Sequence, residues 1–184
     1  MTAATTAQTL AASDCALLLI DFQQRLVPAI ADGDAAVKNA ARLAEAARLL
    51  DVPVLATEQN PEGLGSTVEA LAPYSSAVLA KTHFDATRAQ GFETLLPYGR
   101  GTFVVTGCEA HVCVLQTVVG LLQGGVRVAV VRDAIGSRRI ENRDAGLERM
   151  RAHGAELVTT EMAIFEWLEA SGHPRFREVI RLVK

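Results

Sequence analysis

The run CALLLI at 15–20 is apolar from end to end and stops at Asp21. A strand with one face in water alternates polar and apolar side chains. An unbroken run of this length points instead to a parallel strand buried on both faces, which needs helices above and below it. The rest of the chain supplies them. After Pro28 and the turn residues Asp32-Gly33-Asp34, a run rich in Ala, Leu and Arg continues with helical spacing to about residue 50. Further strands are expected at 52–57, 77–82, 102–105 and 126–131, with a short sixth at 156–159. Helices are expected at 91–96, 112–123, 142–153, 161–170 and 174–183, and NPEGLG at 60–65 reads as a loop from its turn residues. Strands alternating with helices in this order form a mostly parallel sheet whose right-handed crossovers cover both faces. The expectation is an α/β protein: a single-domain, three-layer α/β/α sandwich around a six-stranded sheet.

At 184 residues one domain suffices, by the usual range of roughly 100–200 residues per domain. The net charge is −3, and the basic residues are scattered rather than interleaved with aromatics, which speaks against a nucleic-acid partner. No apolar run nears the roughly 18 residues of a membrane span, so no membrane partner is expected. The opening MTAATTAQTLAAS lacks the basic and apolar regions of a signal peptide. Residues 1–13 are expected to be a flexible start, with the domain over 14–184 and a cytoplasmic location. Cys15, Cys108 and Cys113 form neither an even disulfide set nor a zinc pattern, since C-x4-C has no second pair.

In open α/β sheets, ligands bind beyond the carboxyl ends of the strands, where the strand order reverses. Three such ends carry reactive or charged side chains: Asp21 after the first strand, Lys81 at the end of the third and Cys113 just past the fourth. The stretch 101–117, GTFVVTGCEAHVCVLQT, reads as a buried strand, a tight turn at Gly107-Cys108-Glu109-Ala110, and a helix. A thiol in the opening turn of a helix faces free N–H groups and the positive end of the dipole, which would bias Cys113 toward thiolate. The same N–H groups could accept an oxyanion. Each residue also has a plainer role open to it: Cys113 as a small buried apolar group, Asp21 as a loop or cap acid, Lys81 as a solvated strand end.

These residues sit in longer motifs. The sequence resembles the isochorismatase-like cysteine hydrolase superfamily, most closely its isochorismatase domain-containing subgroup. The likeness runs in order through LLLIDFQQRL with Asp21, TEQNPEGLGST at 57–67, AKTHF with Lys81 and GCEAHVCVLQT with Cys113. It continues through GGVRVAVVRDAIGSR at 124–138 and AGLERMRAHGAELVTTEMAIFEWL at 145–168. The resemblance implies a Rossmann-like, isochorismatase-like hydrolase fold and a catalytic triad. In that triad Cys113 is the nucleophile, Asp21 the base that takes its proton, and Lys81 the cation that orients Asp21. It also implies a non-proline cis peptide at Cys108-Glu109 and an oxyanion hole made by the backbone N–H groups of Glu109 and Cys113. The implied activity is hydrolysis of a small amide or related acyl compound, at C–N bonds other than peptide bonds, through a thioester on Cys113. A scaffold or interaction protein that keeps the fold without turnover is the alternative from a different class.

Departures from better-known relatives narrow this further. True isochorismatases lack the nucleophilic cysteine, so Cys113 disfavours isochorismate as substrate. Nicotinamidases hold a metal with an Asp and several His residues after the second strand. Here that region is TEQNPEG, with Glu58 at the matching place and no His before His83, so no metal and no cofactor are expected. Phe22, Gln59 and Phe84 are candidate walls of a small-molecule pocket, by their nearness to Asp21, the second strand end and Lys81. His111 is not expected to act as base, because residues two apart in a turn seldom face each other. Cys108 is expected to pack rather than to serve as a redox partner. Arg138 and Glu161 match the subgroup, yet also suit a subunit contact and a helix start. The superfamily commonly self-associates, and the apolar segment with Ile164, Phe165, Trp167, Leu168 and Phe176 suggests a homo-oligomer, dimer or larger.

Overall fold

Every residue of the first strand, β1 (Cys15–Ile20), is buried, and its side chains divide between two cores. Leu17 and Leu19 pack with Val104, Ala129, Leu43 and Trp167 on one face. Leu18 and Ile20 pack with Phe103, Val105, Val118 and Met150 on the other. The period-two alternation of a strand thus gives both faces an apolar set, as the unbroken CALLLI run requires.

The computed structural model describes residues 9–95 and 97–184. In chain order, β1 is followed by α1 (Gly33–Leu49), β2 (Val54–Gln59), α2 (Pro61–Leu64), β3 (Ala77–Lys81), α3 (Phe92–Leu95) and β4 (Thr102–Cys108). Then come α4 (Leu115–Gln123), β5 (Arg127–Gly136), α5 (Ile140–Ala152), β6 (Glu156–Val158), α6 (Thr160–Leu168) and α7 (Phe176–Val179). The six strands pair in parallel in the order β3-β2-β1-β4-β5-β6. This is the expected α/β sheet, and its order leads away from β1 and β4 in opposite directions. Helix α1 lies on one face, burying Ala36, Ala40, Leu43, Ala44 and Ala47 at intervals of three and four. Edge strand β3 differs from the centre: Val78 is half exposed and Ala80 is exposed.

Several boundaries differ from the sequence expectation. The second strand begins at Val54 rather than 52, because Pro53 has no N–H to pair and contributes only its carbonyl, which accepts the Leu17 N–H at 2.8 Å. The fifth strand continues past 131 to Gly136, through a register shift opposite Val105 and Gly107. That extension pairs Ile135 and Gly136 with Gly107 and Cys108. It carries the following loop to the end of β4. The helix expected at 112–123 opens as a π-helical turn, Ala110–Val114, before α4 begins at Leu115. The loop at 60–65 contains the single turn α2, and the helix expected at 174–183 is α7 followed by a 3₁₀ turn, Ile180–Leu182. The last residue of the helix expected at 91–96 lies outside the described residues.

The packing at the two ends of the chain bears on two further expectations. Residues 1–8 of the expected flexible start lie outside the described residues, but Leu10 is fully buried in the core and its N–H donates to Glu166 Oε2 at 2.7 Å. The segment from Leu10 onward is packed. The apolar C-terminal segment does not form a spare face either: Ile164, Trp167 and Leu168 are buried in the chain's own core and Phe176 packs against it, leaving Phe165 40% exposed. Among the described residues no helix is long and apolar enough to cross a membrane.

Candidate active site

β1 and β4 are neighbours from which the sheet departs in opposite directions, so the crevice beyond their carboxyl ends is the switch point of the fold. Asp21 stands there, one residue past Ile20, with φ of 53° in the left-handed region that Asp tolerates better than most residues. Its carboxylate is fully buried. One oxygen accepts the Thr57 hydroxyl at 2.7 Å, and the other accepts Lys81 Nζ at 2.8 Å. Lys81 Nζ also donates to Gln59 Oε1 at 2.8 Å, while Gln59 Nε2 donates to the Thr82 carbonyl at 2.8 Å. Strand register delivers the set: Ile20 lies beside Thr57, and Gln59 beside Lys81. Two opposite charges held out of water are sustained only by dense hydrogen bonding, and Thr57 and Gln59 provide it.

The fourth strand brings the thiol to this pair. Gly107 has φ of 145°, and a Cβ there would lie 2.3 Å from the Ile20 carbonyl oxygen, so β4 approaches the end of β1 as only glycine allows. After the cis peptide Cys108-Glu109, the chain enters the π-helical turn that holds Cys113. Cys113 is buried, and its thiol donates to Gln59 Oε1 at a long 3.9 Å. Asp21 and Lys81 both reach the sulfur, with opposite effects. The expected thiolate bias is corrected here. Burial first, then the Asp21 charge, push the thiol up to about 12, and Lys81 offsets only part of this. The helix opening is too weak a field to outweigh a desolvated site beside a carboxylate. Burial and the Asp21 charge thus favour a thiol beside the buried Asp21 side chain. Such a pair can couple sulfur attack to proton transfer.

Other candidate residues fall in varied places. Phe22 is 1% exposed and belongs to the core under α1, so its side chain offers no pocket wall. Gln59 is bonded into the polar network, and Phe84 is half exposed. A cavity of about 660 Å³ opens where β2 and β3 end; Lys81, Asn60, Glu62, Thr82 and His83 line it, whereas Phe22, Gln59, Phe84, Asp21 and Cys113 do not. Glu58 Oε1 accepts both the backbone N–H and the hydroxyl of Thr67, at 2.7 and 2.8 Å, which fixes the loop after β2. Burial pushes the Cys108 thiol up to about 12 as well, with the charges of Asp21 and Glu109 adding to it.

Sequence reasoning did not foresee several of these partners. Gln23 is fully buried and joins the β2 end to the following loop: its Nε2 donates to the Gln59 and Gly65 carbonyls, and its Oε1 accepts the Gln59 N–H. His111 Nδ1 lies 3.1 Å from Ser137 Oγ. The Glu109 carboxylate bonds to Arg138. Burial would raise the Glu109 carboxyl, but the backbone N–H, guanidinium and charge of Arg138 outweigh it and hold the group low. Thr159 caps α6 through Met162 N–H, while Thr160 N–H and hydroxyl go to Asp133, so Glu161 follows as an ordinary first-turn acid.

Known proteins share this architecture. The chain is 39% identical over 168 residues to isochorismatase domain-containing protein 2A of Mus musculus, covering 91% of this chain and 82% of that one. The Homo sapiens isochorismatase domain-containing protein 2 is 40% identical over the same length and coverage. Among solved structures, the MAR1 ribonuclease from Caenorhabditis elegans matches with a TM-score of 0.90 at 35% identity, over 96% of this chain and 92% of that one. YcaC from Pseudomonas aeruginosa, solved with hexane-2,5-diol and covalent acrylamide, matches with a TM-score of 0.85 at 25% identity, over 97% and 98%. The isochorismatase domain pattern spans residues 15–162, and with it the strand ends that carry Asp21, Lys81 and Cys113. The chain belongs to the isochorismatase family.

Proposed function

We propose that this protein is a cysteine hydrolase of a small amide or related acyl compound. The observation that carries the proposal is the meeting of a buried thiol with a desolvated Asp21–Lys81 pair at the switch point of the sheet. Cys113 sulfur attacks the substrate carbonyl carbon while its proton passes to Asp21, and the carbonyl π pair moves onto oxygen. The backbone N–H groups of Glu109 and Cys113 receive that oxyanion. Collapse re-forms the carbonyl and breaks the C–N bond. The departing amine takes the proton from Asp21, leaving a thioester. Water then adds to the thioester carbon and gives a proton to Asp21; collapse breaks the C–S bond, the carboxylic acid leaves, and the Asp21 proton returns to the sulfur to restore the thiol. Lys81 holds the Asp21 carboxylate in place through its 2.8 Å bond. The cavity at the ends of β2 and β3 adjoins this pair through the main chain of Lys81, and Asn60, Thr82 and His83 there offer hydrogen bonds to a substrate on its way to Cys113.

Cleavage of RNA is a second reading, favoured by the name of the Caenorhabditis elegans ribonuclease that this chain resembles. The net charge of −3 weighs against it, since binding a phosphate backbone draws on clustered Lys and Arg. A screen of small amides with an RNA arm tests both. The parent protein is expected to hydrolyse at least one amide, Cys113→Ala to hydrolyse none, and Asp21→Asn to retain about one per cent or less. Hydrolysis by Cys113→Ala at the parent rate, or cleavage of RNA alone, would overturn the proposal. The scaffold alternative predicts no turnover of any kind.

A further inference from the structure

The turn that carries Glu109 and Cys113 is tied to the segment after β5 at three places. The Glu109 carboxylate, 9% exposed, accepts the Arg138 backbone N–H at 2.9 Å and the Arg138 Nε–H at 3.1 Å on each oxygen. Two residues on, His111 Nδ1 lies 3.1 Å from Ser137 Oγ, and Ser137 is buried. On α5, Gly146 permits close contact with the turn: a Cβ there would lie 2.9 Å from the Ala110 carbonyl carbon and oxygen. Within the turn, the Glu109 carbonyl accepts the N–H groups of Val112 and Val114 at 3.0 and 3.3 Å. Glu109 is therefore fixed both by its main chain and by its side chain. Burying a carboxylate is a costly way merely to fill space, because an apolar side chain would do so without desolvation. What charge-assisted bonds to a carboxylate add is direction.

We propose that the Glu109–Arg138 pair positions the oxyanion hole: it fixes Glu109 so that its backbone N–H meets the developing negative charge. Arg138, with 62% of its side chain exposed, is on this account a positioning residue that touches no reacting atom. The inference rests on the proposed role of Cys113 as nucleophile. Displacement of a positioned group by even a fraction of an ångström weakens transition-state stabilisation, so loss of the pair should slow only steps in which an oxyanion forms.

Two reagents separate that effect from thiol reactivity. With p-nitrophenyl acetate, sulfur bonds to the carbonyl carbon through an oxyanion, p-nitrophenolate leaves with its electron pair, and the thiol proton goes to Asp21. With iodoacetamide, sulfur displaces iodide, which leaves with its electron pair, and no oxyanion forms. Both rates follow the availability of the thiol, so their ratio reads the oxyanion donor. Rates at Cys113 are measured by mass spectrometry on the whole protein, with Cys113→Ala as the blank and circular dichroism as the check on folding. Arg138→Ala is expected to lower the ratio about tenfold, leaving alkylation within about twofold of the parent. Glu109→Gln keeps one acceptor oxygen, and a fall of about threefold is expected. Unchanged ratios in both variants would overturn the inference. A parallel fall in both rates would assign the pair to the fold or the thiol and overturn it equally. If the parent Cys113 reacts with neither reagent, no nucleophile stands at the turn, and the proposed function and this inference are overturned together.

Discussion

Two ion pairs stand at the same end of the sheet, and they are built oppositely. Lys81–Asp21 is completely dry, with neither side chain exposed and 2.8 Å between the charged atoms. Glu109–Arg138 is dry only on its acid side: Glu109 is 9% exposed, Arg138 is 62% exposed, and the separation is 3.1 Å. The first pair acts on the thiol, and the main chain of Lys81 borders the cavity of about 660 Å³. The second lies behind the turn that presents the thiol. A fully desolvated pair contributes little net stability, yet losing one partner leaves a bare charge in the interior. A pair open to water on one side contributes little and costs little to break. On the proposed roles, the site uses charge in two ways, as a held reactant and as a fastening, and burial distinguishes them.

The largest difference should be in stability. Lys81→Met leaves the Asp21 carboxylate buried without its cation, held by the Thr57 hydroxyl, and about 3–5 kcal/mol is expected to be lost in urea or thermal unfolding. A loss below about 1 kcal/mol would erase the contrast between the pairs. The next effect is on pH dependence. Burial raises the thiols of Cys15, Cys108 and Cys113, the last two to about 12. Between their unfolded value, about 8.5, and the folded one, the native state binds more protons than the unfolded chain. Stability should therefore fall as pH rises above about 9, where the unfolded chain gains charge that the folded thiols resist. Alkylation of Cys113 should rise about tenfold per pH unit from 7 to 9. A plateau beginning near pH 7 would restore the thiolate that the helix opening suggested. The smallest effect belongs to the half-wet pair: Arg138→Ala should cost about 1 kcal/mol or less, since water can solvate the acid from the exposed side. A loss as large as that of Lys81→Met would show the two pairs to be alike.

The strands were legible because burial on both faces leaves its mark on composition, as in CALLLI. The placing of Asp21, Lys81 and Cys113 was legible because a parallel sheet gathers the residues that follow its strands. The hidden features each depend on contacts between distant elements. Which of Glu58 and Gln59 faces Lys81 is set by the register of β2 on β3, which the residues alone do not state. Phe22 turns into the core, one position away from a buried acid, although its neighbourhood suggested a pocket wall. The protonation of Cys113 is decided by burial and by a carboxylate more than ninety positions away, so its place at a helix opening misled. Glu109 and Arg138 lie 29 residues apart and meet because β5 runs on to Gly136 beside β4. An apolar terminal segment suits a subunit contact or the chain's own core equally well by composition, and Trp167 and Leu168 take the second course, in the packing with α1.

The central claim is that Cys113 carries the acyl group. Once an amide is found in the screen, the protein can be mixed with it at saturation, quenched in acid during turnover and digested for mass spectrometry. The expected result is the acyl mass on the peptide containing Cys113, lost on treatment with hydroxylamine and absent from Cys113→Ala. Steady turnover with no acyl adduct on Cys113, when hydrolysis of the adduct is slowed at low temperature, would contradict the account.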